Sequence, residues 1–411
     1  MKSISRLAVA AVLAAVTISA PAVAQKKQAA APAGPKLSKP VQSLLAQAQT
    51  AQTAGDHPAA LTLLNQALAV PKATAEDKLW TYRLMLNSAQ VTKDNALLKT
   101  SIEGALSTGM VTPSDEGKFR TALRGLALQA KDYPGAIQQA TRIAALSPSD
   151  ARLQYELAGV YQLANQQKPA YDAASKAIAT AKAAGAVPEE YYKTAAKLAL
   201  DNNMSAEFAS TSAGWLASYP TPENWRTILT LFRDAAKFDD QGSLDVFRLM
   251  HATGSLASEK DYYEYAETAN QRGYPGEAKV IIDEGLAKGK LSTAKAYTKE
   301  LQAVVNPKVA RDKASLAGLE GESKKGASGK LALSTGDAYL GHGNFAKAVE
   351  MYQLALQKGG VDAATANTRL GIAYGKAGQK AEAEAALKAV TGGGPRQQLA
   401  EYWLIWLGRQ A

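Results

Sequence analysis

Residues 333–360 read LSTGDAYLGHGNFAKAVEMYQLALQKGG, and residues 370–390 read LGIAYGKAGQKAEAEAALKAV. The two stretches share one scheme. Leu333 and Thr335-Gly336 lead to Tyr339, the turn Gly341-His342-Gly343-Asn344, then Ala348, Tyr352 and Ala355, with Gly359-Gly360 as a stop. The second runs Leu370-Gly371, Tyr374, Gly378, Ala383, Leu387 and Val390. The period is about 34 residues, the length of two short antiparallel helices with their turns. Small residues such as Gly336, Ala348 and Ala355 belong where the helices of a pair approach most closely, and Gly371 and Ala383 repeat that role. Large ones, Tyr339 and Tyr352, then Leu370 and Tyr374, fill the space between one pair and the next.

Working back from these units, the same spacing recurs. Leu123, Ala127, Ala136, Ala140 and Pro148 form one unit, and Leu157-Ala158, Tyr161, Ala170, Ala174 and Ala177 form the next. Tyr265-Ala266, Ala269, Gly273, Ala278 and Ile282 make another. Near the start stand Leu44, Ala48, Ala51, Ala60, Leu64 and Ala67, with Gly55-Asp56-His57-Pro58 as the inter-helix turn. Weaker units begin near Trp80, Tyr192 and Trp225. Segments of helical period separated by Gly, Pro, Asn or Asp, without strand-like alternation, predict an all-α protein.

These residues resemble the tetratricopeptide repeat, TPR, over most of the chain after residue 40. The resemblance implies a right-handed α-solenoid of about nine helix-turn-helix repeats with a C-terminal capping helix. It implies a surface that binds other proteins, and leaves the partner open, because one scaffold hosts many roles. Gln397 to Leu407, with Leu399, Tyr402, Trp403 and Trp406 at helical spacing, is the expected cap. The alternative for Trp403 and Trp406 is a docking face for a membrane or a partner.

The ends set the compartment. Lys2 and Arg6 precede an apolar run from Leu7 to Ile18 that closes on Ala22-Val23-Ala24, the pattern of a secretory signal peptide, residues 1–24, cleaved before Gln25. Residues 25–39, rich in Lys, Ala and Pro, are expected to form a disordered tether. Residues 40–305 read as a degenerate solenoid, 306–328 as a charged joint or irregular helix, and 329–411 as a C-terminal repeat pair plus cap. With no cysteine, the chain carries no disulfide, no thiolate metal site and no lipoprotein anchor. A soluble periplasmic protein is the expectation. Its net charge of +10 is spread among alternating acids and bases rather than gathered on one element, which argues against nucleic acid.

No chemistry declares itself. His57 and His342 fall in inter-helix turns and His251 stands alone, so no two form a local ligand pair. The acidic pairs Glu189-Glu190, Asp239-Asp240 and Asp283-Glu284 point in diverging directions on a helix. Gly392-Gly393-Gly394-Pro395 is read as a helix stop. No catalytic residue, cofactor or metal is expected; an envelope hydrolase with a site assembled across the solenoid is the alternative.

Aligning the units predicts the partner groove, on first-helix positions that packing does not use: Tyr155 and Gln162, Lys193 and Lys197, Arg226 and Arg233, then Tyr263, Glu267 and Asn270. Cations flanked by tyrosines suit an extended peptide bearing a carboxylate or an acidic run. Some relatives grip a C-terminal carboxylate with Lys, Asn and Arg on three first helices. Here Leu333 and Asp337 stand where a cation and an amide belong, which removes that mechanism. A non-catalytic interaction scaffold in assembly or trafficking of an envelope complex or surface polymer is the favoured function.

Overall fold

A computed structural model describes residues 36–410 and contains twenty α-helices, with no strand among the described residues. The signal peptide and residues 25–35 of the expected tether lie outside the described residues. The rest of that tether is held in place. The backbone N–H of Lys36 donates to Glu76 Oε1 at 3.1 Å, and that of Ser38 donates to Asp77 Oδ1 at 2.9 Å.

The helices form two compact units, one ending at Asn202 and the other starting at Asn203. Unit 1 holds α1 (Lys39–Thr53), α2 (His57–Leu68), α3 (Ala75–Thr92), α4 (Asn95–Ser107), α5 (Pro113–Gln129), α6 (Tyr133–Leu146), α7 (Ala151–Leu163), α8 (Gln167–Ala183) and α9 (Glu189–Asp201). Unit 2 holds α10 (Ser205–Ser218), α11 (Pro222–Ala236), α12 (Asp240–Ala252), α13 (Glu259–Gln271), α14 (Pro275–Ala287), α15 (Ala296–Lys325), α16 (Lys330–Gly341), α17 (Phe345–Lys358), α18 (Ala363–Lys376), α19 (Lys380–Lys388) and α20 (Gly394–Leu407).

Local signals fix the helix starts. Asp56, Asp94, Asp132 and Asp362 each accept a backbone N–H of the first turn, and Thr74 with Asp77 forms a reciprocal capping box on α3. The turn inside each pair needs one left-handed residue, which also sets the register of the two helices. Gly55, Gly273, Gly343 and Gly378 fill that place, as the punctuation predicts. Lys93, Lys131 and Asn165 adopt the same conformation, each at φ 57°.

In unit 1 each pair is closed by the first helix of the next. Met85 of α3 joins the core of Leu45, Ala48, Ala60 and Leu64, while Phe119 and Leu123 of α5 join Leu86, Ala89, Leu98 and Ile102. Polar contacts at repeat spacing reinforce the stack: Gln52 donates to Ser88 Oγ (2.8 Å), Arg83 to Asp115 (2.9 Å) and Arg124 to Glu156 (2.9 Å).

In unit 2 the last two pairs have the anticipated interior. Ala348, Tyr352, Ala355 and Ala383 are fully buried, Tyr339 and Leu370 nearly so. A Cβ on Gly336 would lie 2.7 Å from the Tyr352 ring, and one on Gly371 would lie 2.5 Å from Leu387. Tyr374 is half-buried and accepts a hydrogen bond from Gln353.

Two expected boundaries move. The division falls at 202/203, not at 306. Residues 306–325 continue the 30-residue α15, which has Pro307 inside it. Its first half buries Leu301 and Val305 and its second half buries Leu316 and Ser323, so it packs on α14 at one end and α16 at the other. A segment anchored at both ends in this way is a strut, whatever its surface charge.

Two substitutions separate the constraints. Gly336→Ala should destabilise by about 1–3 kcal/mol, because the Tyr352 ring has no room to move. Lys131→Gly should stabilise by about 1 kcal/mol by relieving a left-handed non-glycine residue. Urea unfolding followed by circular dichroism reads both, and equal midpoints for the two variants would contradict this account.

Candidate binding surfaces

The predicted groove residues fall four in unit 1 and five in unit 2. In unit 1 Tyr155 stacks on Tyr191, ring centroids 4.2 Å apart, and its hydroxyl bonds Thr194 Oγ1 at 2.9 Å. Gln162 is exposed. Lys193 pairs with Glu189 at 3.2 Å and Lys197 with Asp201 at 2.5 Å. In unit 2 Arg226 grips Asp261 with two bonds, 3.0 and 3.1 Å, and Arg233 lies over Phe247 and pairs with Glu264 at 3.3 Å. Tyr263 packs edge-on against Tyr297 and donates weakly to Glu267, while Asn270 accepts from Lys308. Every cation in the predicted set therefore has a carboxylate of its own chain beside it.

The charges that are buried lie elsewhere, in unit 2. Asp245 and Arg248 on α12, Glu277 on α14, Asp337 on α16 and Arg369 on α18 are each at most 6% exposed. Arg248 holds Glu277 with two bonds of 2.8 and 2.7 Å and Asp245 with one of 2.8 Å. Arg369 donates to Asp337 Oδ2 at 2.7 Å and to both oxygens of Asp245. Arg396, from α20, adds a 2.5 Å bond to Asp245. Three carboxylates thus face three guanidinium groups. Tyr265 donates to Glu277, and Tyr274 and Tyr352 donate to Asp337, which satisfies lone pairs the arginines leave. Burial pushes the Asp245 carboxyl upward, but Arg369, Arg396 and Arg248 together hold it far below the usual carboxylate range.

This cluster shows what covers the last two pairs. Gly336 and Gly371 face the partner helices α17 and α19, while Gly341 and Arg369 point to the other side of each pair, and Asp337 sits between, bonded to both Arg248 of α12 and Tyr352 of α17. Helices α12 and α14 fill that other side. A Cβ on Gly341 would sit 2.8 Å from Glu277 Cβ. The cap completes the closure. Tyr402 bonds Ser212 Oγ of α10 at 2.6 Å and meets Trp225 and Phe232 edge-on, and Trp406 donates to the Ala252 carbonyl at 3.0 Å. Trp403 is 1% exposed and T-stacked on Trp406, which is partly buried. A cavity of about 300 Å³ at the rim of the cluster is lined by Gln241, Lys330, Ser334 and Asp362.

The remaining candidates for chemistry are each engaged. His57 Nδ1 meets Ser88 Oγ at 3.2 Å, His251 bonds Glu284 at 2.6 Å and His342 bonds Asp312 at 2.7 Å. Glu189 and Glu190 lie in the first turn of α9, Asp239 caps α12, and Asp283 pairs with Lys279. Gly392 to Gly394 take left-handed conformations between α19 and α20. Among the described residues no group of His, Cys, Asp or Glu is placed to hold a metal ion, and no helix is long and apolar enough to cross a membrane.

Sequence reasoning missed the cluster. Several of its contacts join residues 89 to 151 positions apart, beyond any repeat period, as in Arg248–Asp337 and Arg396–Asp245. The available signal was a charge, Asp337, at a position where the family pattern wants an amide.

The described chain is all-helical, an array of α-helices packed mostly in sequential pairs. No protein-family model matches it, nor does any curated protein. Among solved structures, MamA from Desulfovibrio magneticus RS-1 matches at 16% identity over 48% of this chain and 98% of that one, with a TM-score of 0.27. A tetratricopeptide repeat protein from Parabacteroides merdae matches at 12% identity over 82% and 99%, TM-score 0.28. A thermophilic TPR protein of Thermus thermophilus matches at 18% identity over 48% and 97%, TM-score 0.22.

Removing one member of the cluster strands a buried charge. Arg369→Leu should cost about 3–5 kcal/mol, whereas Arg226→Gln, at a half-exposed pair, should cost under about 1 kcal/mol. Four of the five tryptophans lie in unit 2, so their emission during urea unfolding reports it; equal losses would contradict the ranking.

Acid should act on the same unit. Burial raises the Asp261 and Glu284 carboxyls, but the Arg226 bond on the first and the Lys288 and His251 bonds on the second hold both at about 2. Their folded values lie below the ordinary 3.8 and 4.5, so their stabilisation is complete above that range and is lost as pH falls toward about 2. The melting temperature should drop over that window, less steeply in Arg226→Gln. A flat profile for the parent protein would exclude this linkage.

Proposed function

We propose that the chain is an exported, non-catalytic scaffold of the bacterial cell envelope that holds protein or peptide partners, in assembly or trafficking of an envelope complex or surface polymer. One observation carries the binding part. The open side of the first helices is filled by the chain's own helices in α16 and α18, but on α5 and α7 it is vacant, with nothing within 4 Å of a Cβ placed on Gly125 or Gly159. Glycines on an open helix face lower helix stability and are tolerated where another surface must come close. The three histidines, each hydrogen-bonded within the chain, support a reading without catalysis.

Export is supported by the charged start, short apolar run and Ala22-Val23-Ala24 of the first 24 residues. Fractionation of the source cells should place the mature chain in the periplasm with Gln25 as its first residue. A photo-crosslinking amino acid at Gln162 should then give adducts with other proteins, while one at the fully buried Thr368 should give none. Retention of residues 1–24 in the cytoplasm would sink the envelope assignment, and equal yields at both sites would sink the open-face assignment.

A further inference from the structure

Most polar groups around the cavity at the rim of the buried charges are already committed. Asp337 receives four bonds, from Tyr352 and Arg248 on Oδ1 and from Tyr274 and Arg369 on Oδ2. Arg369 is held by Asp245, Asp337 and Gln241 Oε1, and Ser334 donates to the Leu331 carbonyl. Two charged groups in the lining are not committed in this way. Lys330, at the start of α16, is exposed and its ammonium has no carboxylate beside it. Asp362, in the loop before α18, accepts from the Thr365 N–H and hydroxyl, both on Oδ2, and forms no salt bridge. The field of Arg396 reaches it, but that guanidinium is bonded to Asp245. Burial raises the Asp362 carboxyl, while the bonds from Thr365 hold it below the ordinary 3.8, so it is ionised at neutral pH.

Lys330 and Asp362 line one cavity of about 300 Å³ without pairing across it. Unpaired charges of opposite sign in a shared space are complementary to a ligand that carries both signs. The remaining free donor is the Gln241 amide, whose oxygen already accepts from Arg369 at 3.2 Å. The rest of the wall is apolar, made by Leu333, Val361 and the ring of Tyr274. The volume stands at the small end of ligand sites, roughly 300–1,000 Å³, and suits a small molecule rather than a peptide strand.

We infer that this cavity binds a small zwitterion of the α-amino acid class. The ligand carboxylate meets the Lys330 ammonium and the Gln241 amide, its ammonium meets Asp362, and an aliphatic side chain lies on Leu333, Val361 and Tyr274. Both ends then make charge-assisted bonds, the stronger kind. The bound molecule touches α12, α16, α18 and the start of α14 together, so occupancy braces the closed side of the last two pairs. This site is separate from the protein or peptide partners proposed above and does not depend on them.

The test is a panel of free amino acids added to the full mature protein, read first as a rise in melting temperature at about 10 mM ligand and then as affinity by isothermal titration calorimetry. At least one aliphatic amino acid should raise the melting temperature. Its affinity should fall about tenfold or more when its amine is acetylated, when its carboxylate is esterified, in Lys330→Gln and in Asp362→Asn. Lys330 is exposed, and asparagine caps a helix as well as aspartate does, so both variants should melt as the parent does without ligand. Failure of every amino acid to bind would overturn the inference. So would acetylated forms that bind undiminished, which would define an anion site at Lys330 alone, or affinity unchanged in both variants, which would place the ligand elsewhere.

Discussion

A helical pair of this length has two broad sides and covers only one of them with its own residues. Everything in the chain follows from how the second side is covered. In unit 1 the next pair does it: Met85 closes the α1–α2 core and Phe119 closes the α3–α4 core, each from the first helix of the following pair. In unit 2 stacking is not the whole answer. The strut α15 lets the chain pass from α14 to α16, and the last two pairs then lay their otherwise open side on α12 and α14.

Covering that side with charged residues is costly, because each ion gives up its water. Burying an ion pair is often no better than packing apolar groups of the same shape. The cluster limits the cost by balance, three carboxylates against three guanidinium groups, and by tyrosine hydroxyls that occupy lone pairs the arginines leave. What it adds is selectivity of register. Apolar side chains on α12 and α18 would tolerate a slide along the helix, whereas the bonds of Arg369 to Asp337 and Asp245 exist in one alignment only. Arg396 ties α20 into the same alignment, which brings Tyr402 to Ser212 and Trp406 to the Ala252 carbonyl.

The parts of this arrangement legible in the sequence are those set by near neighbours. Gly336 against Tyr352 and Gly371 against Leu387 lie 16 residues apart, within one repeat, and the repeat pattern names them directly. The weaker unit near Trp80 was hard to delimit for a local reason: Lys93 holds the left-handed turn position that glycine marks elsewhere, and a lysine does not announce that conformation. The charge of residues 306–325 left a joint or an irregular helix open, because surface composition says nothing about Val305 and Leu316, whose burial anchors α15. The pairing of the cations in the predicted groove was hidden on the same ground. Aligning the units placed Arg226 and Arg233 on the groove side of a first helix, but their partners Asp261 and Glu264 come from the next repeat, and only the fold sets them opposite.

The two units put one set of repeat positions to opposite uses. Where Asp337 and Arg369 occupy the open side, the chain supplies the matching charges itself and the surface is sealed. Where Gly125 and Gly159 occupy it, nothing of the chain lies within 4 Å of an added Cβ. A sealed face must be self-complementary, so its charges have to balance within the molecule, and they do. An unsealed face that was also charged would bring cations and anions of neighbouring repeats together, as at Arg83–Asp115, and those pairs would have to be broken for a ligand to enter. A neutral face carries no such penalty. The balance of charge around Asp245 is therefore the physical condition for the first face to stay shut.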